Sequence, residues 1–471
     1  MGGEERKLTN IDSPSKHRDR IQSVDDEGKR VWVYPRKPKG RFYKWRTWFS
    51  YLLLAFMFAG PFIQVNGRPF LLLNILERKF IIFGMAFWPQ DSYIFVLATL
   101  VVVVGIILFT VVFGRLFCGW ACPQTIFMEM VFRKIEYLID GGPKQQRQLK
   151  SMPWNAEKIF KRVLKHSIFW GLSFIIGNTF LAYIIGIDEL FKIITAPVSE
   201  HIMGFSIMVV FTSIFYFIYA SFREQVCTLV CPYGRFQSVL LDEKSIVVAY
   251  DHVRGEERGR PTKNRSEDLG DCIDCNQCVE VCPTGIDIRN GTQLECVNCT
   301  ACIDACDDVM DKIKKPRGLV RYDSFSGINT GEKWSFNFRN IGYTVVLFLL
   351  TAFFFVLLFT RSDVETTILR SYGTLYQEVG ENRYTNLYTV KALNKTFDEM
   401  PLRFELLSPA GKLTKVGDEM RIAGQDRVEG ALFIELERNQ LTGTETKLKI
   451  GVFTGDRHLE TVKTSFMGPR D

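Results

Sequence analysis

Eight of the twelve cysteines fall in two runs of one spacing: Cys272, Cys275, Cys278 and Cys282, followed by Pro283, and then Cys296, Cys299, Cys302 and Cys306. Each run reads C-x2-C-x2-C-x3-C. Three thiols at two-residue gaps let one loop grip one face of an iron–sulfur cubane, while the fourth points away and completes the neighbouring cluster. The spacing therefore assigns Cys272, Cys275, Cys278 and Cys306 to one [4Fe-4S] centre, and Cys296, Cys299, Cys302 and Cys282 to a second. Structural zinc also takes four thiolates, but usually from two separated C-x2-C pairs, so the triplet spacing favours iron–sulfur. Two such centres in one small fold lie close enough to exchange electrons, and nothing near them reads as a substrate pocket. The expected task of the module is to carry charge.

The other four cysteines form a second repeat. "RLFCGWACPQ" contains Cys118 and Cys122, and "REQVCTLVCPYGR" contains Cys227 and Cys231; both read C-x3-C-P with an arginine upstream. A gap of four residues places both thiols of a pair on one face of a helix, one turn apart. Such thiols select Cu(I), zinc or iron–sulfur over hard cations. The alternative is four inert thiols that merely pack, as small apolar side chains do. The repetition favours a redox or metal role, and the spacing does not choose the metal. The histidines are scattered without a ligand pair, Met85 and Met203 are more simply packing residues, and no C-x-x-C-H, G-x-G-x-x-G or P-loop pattern occurs.

Long uncharged apolar runs alternate with charged stretches, the pattern of a membrane protein carrying soluble parts. Five runs are long enough to cross a bilayer of about 30 Å: Trp48 to Val65, Tyr93 to Gly114, Ser167 to Ile187, Met203 to Ser221 and Ile341 to Thr360. The stretch across 66–91 carries Glu77, Arg78 and Lys79 at its middle, which points to a surface helix or a re-entrant segment. The two C-x3-C-P motifs follow the second and fourth runs, which cross in the same direction, so all four thiols reach one membrane boundary.

Basic residues orient the chain. About ten Lys and Arg lie between Arg115 and Lys165, against Lys192 alone between Asp188 and His201, so the former loop is expected in the cytoplasm. This reading explains the net charge of +7 without a nucleic-acid partner. It gives a cytoplasmic N-terminal tail over 1–45, a four-helix membrane domain over 46–240, a cytoplasmic dicluster ferredoxin-like domain over 241–340, a fifth crossing over 341–360 and a periplasmic domain over 361–471. The tail is polar, lacks the apolar core of a signal peptide, and reads as disordered. "YDHVRGEERGRPTKNRSEDLGD", Tyr250 to Asp271, reads as a solvated linker. After Arg361 short runs such as "NLYTVKAL" and "ALFIELE" alternate with turn residues, the pattern of an all-β sandwich. That domain has no cysteine, as suits an oxidising compartment, while the clusters suit a reducing one.

Taken together, paired C-x3-C-P motifs at span ends, a two-cluster insert, one further span and a cysteine-free β domain resemble the cytochrome c oxidase accessory proteins of the FixG/CcoG type from bacteria. "VYPRKPKGRFYKWR" and "YDHVRGEERG" resemble them too. The resemblance implies a multi-pass inner-membrane protein with a terminal immunoglobulin-like domain. It implies an oxidoreductase, a cupric reductase supplying Cu(I) for assembly of a cbb-type haem–copper oxidase, with copper chaperones and oxidase subunits as partners. The family's ferredoxin cysteines map onto the eight clustered thiols, and its membrane cysteines onto Cys118, Cys122, Cys227 and Cys231. A cytosolic donor or a quinol would supply electrons, and a homodimer is left open. Competing readings are a non-catalytic assembly factor and a quinol-linked donor to a periplasmic reductase.

Overall fold

The computed structural model describes residues 23–469 apart from 26, 28, 66, 76–78, 260–268, 333–336, 372, 374–375, 381 and 418–419. The chain separates into two compact units, one of residues up to 63 with 99–351, the other of 64–98 with 352–471. The larger helices are α1 (Arg41–Ala59), α2 (Ser92–Phe113), α3 (Ala156–Ile185), α4 (Ile202–Phe217), α5 (Pro232–Leu240), α6 (Ala301–Lys312) and α7 (Phe338–Phe359).

Among the described residues, four helices are long and apolar enough to cross a membrane: Pro89–Phe113, Ala156–Ile185, Ile202–Phe222 and Phe338–Phe359. Little of their apolar surface is buried within the chain, and none of it in α7, so lipid is its natural solvent. The first expected span is corrected. Its helix begins seven residues earlier than hydropathy suggests, at Arg41, and ends at Ala59, with a single further turn to Phe62. The early start has a tertiary cause. The carboxylate of Asp304, on α6, accepts from the first-turn amides of Phe42 (3.1 Å) and Tyr43 (2.8 Å) and so caps α1.

The N-terminal tail is corrected as well. Residues 1–22 lie outside the described residues, but from Ser23 onward the chain is a strap packed on the cysteine-rich module. The Ser23 hydroxyl donates to Glu295 (2.9 Å), Arg36 N–H to the Glu280 carbonyl (2.7 Å), and Val33 sits over Gly285. The expected linker after Tyr250 is folded at both ends: Asp251 caps a turn over His252–Gly255, Arg254 pairs with Asp271 (2.5 Å), and Gly259 N–H donates to the Cys272 carbonyl. Its middle, 260–268, lies outside the described residues.

The stretch over 66–91 is not a surface helix. It forms an antiparallel sheet of β1 (Leu71–Asn74), β2 (Lys79–Ile82) and β3 (Met85–Phe87), with Leu72 opposite Ile81 and Ile81 opposite Ala86. Each apolar run is too short for a stable helix, and Phe83 and Gly84, both at positive φ, close the β2–β3 turn. Glu77 and Arg78 lie outside the described residues. Beyond β3, Asp91 is fully buried and pairs with Lys395 (2.7 Å) and Arg361 (2.8 Å), and Lys395 also meets Glu365 (2.8 Å). Removing the carboxylate takes the ion-pair partner from the mostly buried Arg361 and leaves the buried Lys395 with Glu365 alone. Asp91→Ala should therefore destabilise this unit by about 3–5 kcal/mol, read as a lower thermal midpoint of the detergent-solubilised protein, while the spectrum of the metal centres is unchanged.

Two strands frame the cysteine module, β4 (Val247–Tyr250) and β5 (Val320–Asp323), paired antiparallel. The C-terminal domain is a sandwich of β6 (Val364–Arg370), β7 (Arg383–Asn394), β8 (Met400–Ser408), β9 (Lys412–Val416), β10 (Met420–Ile422), β11 (Arg427–Glu437), β12 (Glu445–Thr454) and β13 (Arg457–Met467). One sheet runs β9-β11-β7-β6 and the other β10-β8-β12-β13, all antiparallel. Alternate residues point inward, as the period of a half-buried strand requires. Tyr388, Leu432, Ile434, Leu448, Ile450 and Phe466 form the centre of the core. The Tyr388 hydroxyl, carried into that core, is satisfied by the Ser465 carbonyl of the opposite sheet (2.8 Å).

Candidate metal centres

The two cysteine runs fold into the same loop twice. Asp274 and Asn276 in the first, and Asn298 and Thr300 in the second, all adopt left-handed backbone with φ between 51° and 65°. Asn and Asp tolerate this region; Thr does so at a cost. Each sits two residues after a cysteine or immediately after the next one. This alternation turns successive N–H groups toward a common concavity, a nest suited to an anion. A helix then leaves each loop, Gln277–Glu280 from the first and α6 from the second.

Two cavities result. One is lined by Cys272, Cys275, Cys278 and Cys306 together with Tyr250 and Arg289. The other is lined by Cys282, Cys296, Cys299 and Cys302 together with Pro283 and Asn298. Cys278 lines both, so the cavities share a wall. The fourth thiol of each run thus faces the cavity of the other run. Among the described residues no three His, Cys, Asp or Glu side chains converge closely enough to chelate a single ion. The thiols surround volumes, and each set could hold a cubane.

Burial governs these thiols. It pushes Cys278, Cys296 and Cys306 up to about 12 and Cys299 to about 11. A lone thiol here stays protonated at neutral pH, and a bound cation is what makes the thiolate favourable. Backbone N–H groups of Thr284, Gly285 and Ile286 work against burial at Cys282, as hydrogen bonds to sulfur. The eight thiols differ in access: Cys275 is exposed, whereas Cys272, Cys278 and Cys299 are buried.

The membrane motifs are built differently from expectation. Neither pair lies on one continuous helix. Cys118 sits in the short helix Leu116–Trp120, and Cys122 lies beyond its end with extended backbone, preceding Pro123 at the start of the next helix. Cys227 lies in a π-helical turn, Val226–Val230, and Cys231 again precedes a helix-starting proline, Pro232 of α5. Proline lacks the N–H that would continue the preceding turn but fits the first helical position. The four thiols are gathered all the same. Burial pushes Cys227 up to about 12, and Cys122, Cys118 and Cys231 act on it in the same direction as neighbouring would-be anions. They do not form a ready chelate for a single ion.

The first membrane motif touches the second cavity. Cys118 packs against the cluster of Val281, Val297, Cys299, Ala301 and Ala305. Gly119 approaches so closely that a Cβ there would stand 2.3 Å from the Val297 carbonyl oxygen. Two arginines cross this seam. Arg46 of α1 donates to the Gly119 carbonyl (2.7 Å). Arg115 donates to Gln237 Oε1 (2.5 Å), to the Cys296 carbonyl (3.3 Å) and to the carbonyls of Leu294 and Gly234. Gln237, fully buried on α5, donates in turn to Cys118 Sγ (3.2 Å). Sequence reasoning noted an arginine upstream of each motif but gave it no partner. The two diverge: Arg115 reaches the cluster loop, whereas Arg223 pairs with Glu136 in a buried ionic network with Lys165 and Asp140.

The sequence is similar to known proteins. The 4Fe-4S dicluster domain family matches residues 222–325, a 4Fe-4S binding domain family matches residues 95–140, and the immunoglobulin-like fold at the C-terminus of FixG matches residues 354–469. Protein RdxA of Cereibacter sphaeroides is 33% identical over 399 residues, covering 81% of this chain and 83% of that protein. Nitrogen fixation protein FixG of Rhizobium meliloti is 37% identical over 311 residues, 63% of this chain and 58% of that protein. A crystal structure of a FixG-related protein from Vibrio parahaemolyticus aligns with a TM-score of 0.19 at 13% identity, covering 23% of this chain and 97% of that one. The chain belongs to the FixG family: it is a membrane-associated 4Fe-4S electron-transfer protein with an immunoglobulin-like C-terminal domain.

Proposed function

We propose that the chain passes single electrons from a donor on the cytoplasmic side to cupric ion at the membrane thiols, yielding Cu(I) for assembly of a cbb-type haem–copper oxidase. The observation that carries this reading is the seam at Cys118 and Gly119, which brings the first membrane motif against the second cysteine cavity. Cys272, Cys275, Cys278 and Cys306 are the ligands of one [4Fe-4S] centre, and Cys282, Cys296, Cys299 and Cys302 of the other. When bound, these centres supply one-electron carriers whose potentials follow from burial, charge and hydrogen bonds to sulfur.

The residues give the path a direction. Electrons enter where Cys275 is exposed, within reach of a soluble donor, and leave where Cys118 meets the second cavity. Each Cu(II) takes one electron to become Cu(I), and the donor loses one. Thiolate ligation prefers the product, so Cys118, Cys122, Cys227 and Cys231 favour the reduction they receive. The basic loop of Arg115 to Lys165 is read as cytoplasmic and the C-terminal domain as periplasmic, in a bacterial inner membrane.

The test is anaerobic reduction of Cu(II) by the reduced, purified protein. Changing Cys118 or Cys231 to Ser should slow it at least about tenfold without loss of cluster iron; an unchanged rate defeats the assignment of the membrane thiols. One observation favours a second reading: the match of residues 95–140 to a 4Fe-4S binding domain covers Cys118 and Cys122. On that reading the membrane thiols hold iron themselves, and iron content falls in the same two variants.

A further inference from the structure

Arg115 and Arg46 are both buried at the seam, with 6% and 3% of their surface exposed. Every hydrogen-bond acceptor that Arg115 finds is neutral: three backbone carbonyls from Leu294, Cys296 and Gly234, a fourth contact from the amide oxygen of Gln237. Arg46 donates to the Gly119 carbonyl. Among the described residues neither arginine is in an ion pair, in contrast to Arg133 and Arg223 nearby, which both meet carboxylates. A buried guanidinium without a counter-charge is costly, and proteins keep one where an anion is bound. The neighbouring cavity carries four thiols, which as thiolates around ferric and ferrous iron leave a net negative centre that gains charge on reduction.

We propose that Arg115 is the positioning residue that couples the second cysteine cavity to the membrane thiols. Its fixed charge stabilises the reduced state there, and its fork of hydrogen bonds holds the Cys296 loop, Gly234 and Gln237, and through Gln237 the Cys118 thiol, in one register. Lysine keeps the charge but lacks the planar fork, so the two contributions separate. The inference rests on the ligand assignment above and does not require copper to be the acceptor. If copper is the acceptor, Cys282, Cys296, Cys299 and Cys302 would hold the centre that supplies the single electron by which one Cu(II) becomes Cu(I).

The experiment is a potentiometric titration of the full-length protein followed by low-temperature EPR, with Arg115→Gln and Arg115→Lys beside the parent. Arg115→Gln should lower the midpoint of one centre alone by at least a tenfold change in its redox equilibrium, about 59 mV for one electron, with the other centre unmoved. Arg115→Lys should keep both midpoints within that margin and slow oxidation of the reduced protein by Cu(II) roughly tenfold. Unmoved midpoints in an iron-replete Arg115→Gln overturn the proposal. Should that variant lose iron, Arg115→Lys decides, and a parental oxidation rate in it overturns the proposal equally. A parent protein that shows the two EPR signals but is not oxidised by Cu(II) refutes the copper reading alone, and the midpoints still test Arg115.

Discussion

Replacing Cys302 by alanine is expected to halve the iron of the anaerobically purified protein and to leave one magnetically isolated centre. Cys302 lines the second cavity with Cys282, Cys296 and Cys299. Among the described residues the only other thiol on that wall is Cys278, which also lines the first cavity beside Cys272, Cys275 and Cys306. It cannot serve both. Burial holds the Cys302 thiol far above its ordinary range, so its deprotonation is coupled to metal binding, and its loss removes a ligand together with part of the free energy that folds the loop. The first centre keeps its four thiols and its iron. Retention of full iron and of a coupled spectrum in Cys302→Ala contradicts the division of ligands between the cavities.

The second large effect is at Gly119. A Cβ there stands 2.3 Å from the Val297 carbonyl oxygen and 2.9 Å from that of Asn298. Both are backbone atoms of the cysteine loop, with no flexible side chain to yield, so Gly119→Val must push the first membrane motif off the second cavity. A displacement near 1 Å in a reacting geometry costs about a hundredfold in rate. We expect that loss in electron transfer out of the reduced protein, with iron content and midpoints kept. Gly105→Ala is the control, since a Cβ there meets only Leu347, at 3.8 Å. A parental transfer rate in Gly119→Val would show that electrons leave by another route.

The parts of this architecture that sequence makes legible are those set by covalent spacing. Cys272 to Cys282 and Cys296 to Cys306 close their loops locally, and the Asp and Asn at left-handed positions within them are residues that tolerate such backbone. The alternation of β7 and β11 is equally local, since side chains on opposite faces of one strand need no distant partner to declare themselves. Hydropathy locates α2, α4 and α7 for the same reason, and the apolar part of α3, whose charged first turns from Ala156 precede the expected start at Ser167. It misplaces α1, because the helix start is capped by Asp304 from 262 residues away in sequence. The strap from Ser23 escapes detection likewise: its polar composition imitates disorder, and its anchor, Glu295, is 272 residues distant. The stretch over 66–91 misleads through its charges, which argue against burial but do not distinguish a surface helix from a hairpin. Arg115 carries no motif. Its only signal is its place upstream of Cys118, and that signal is shared with Arg223, whose partners are different.

The account stands most directly on one measurement: metal analysis and low-temperature EPR of the full-length protein, purified without air and reduced. Two cavities sharing the wall at Cys278 predict about eight iron atoms per chain and the broadened spectrum of two interacting cubanes. A colourless protein containing zinc, or two centres with no magnetic interaction, contradicts it.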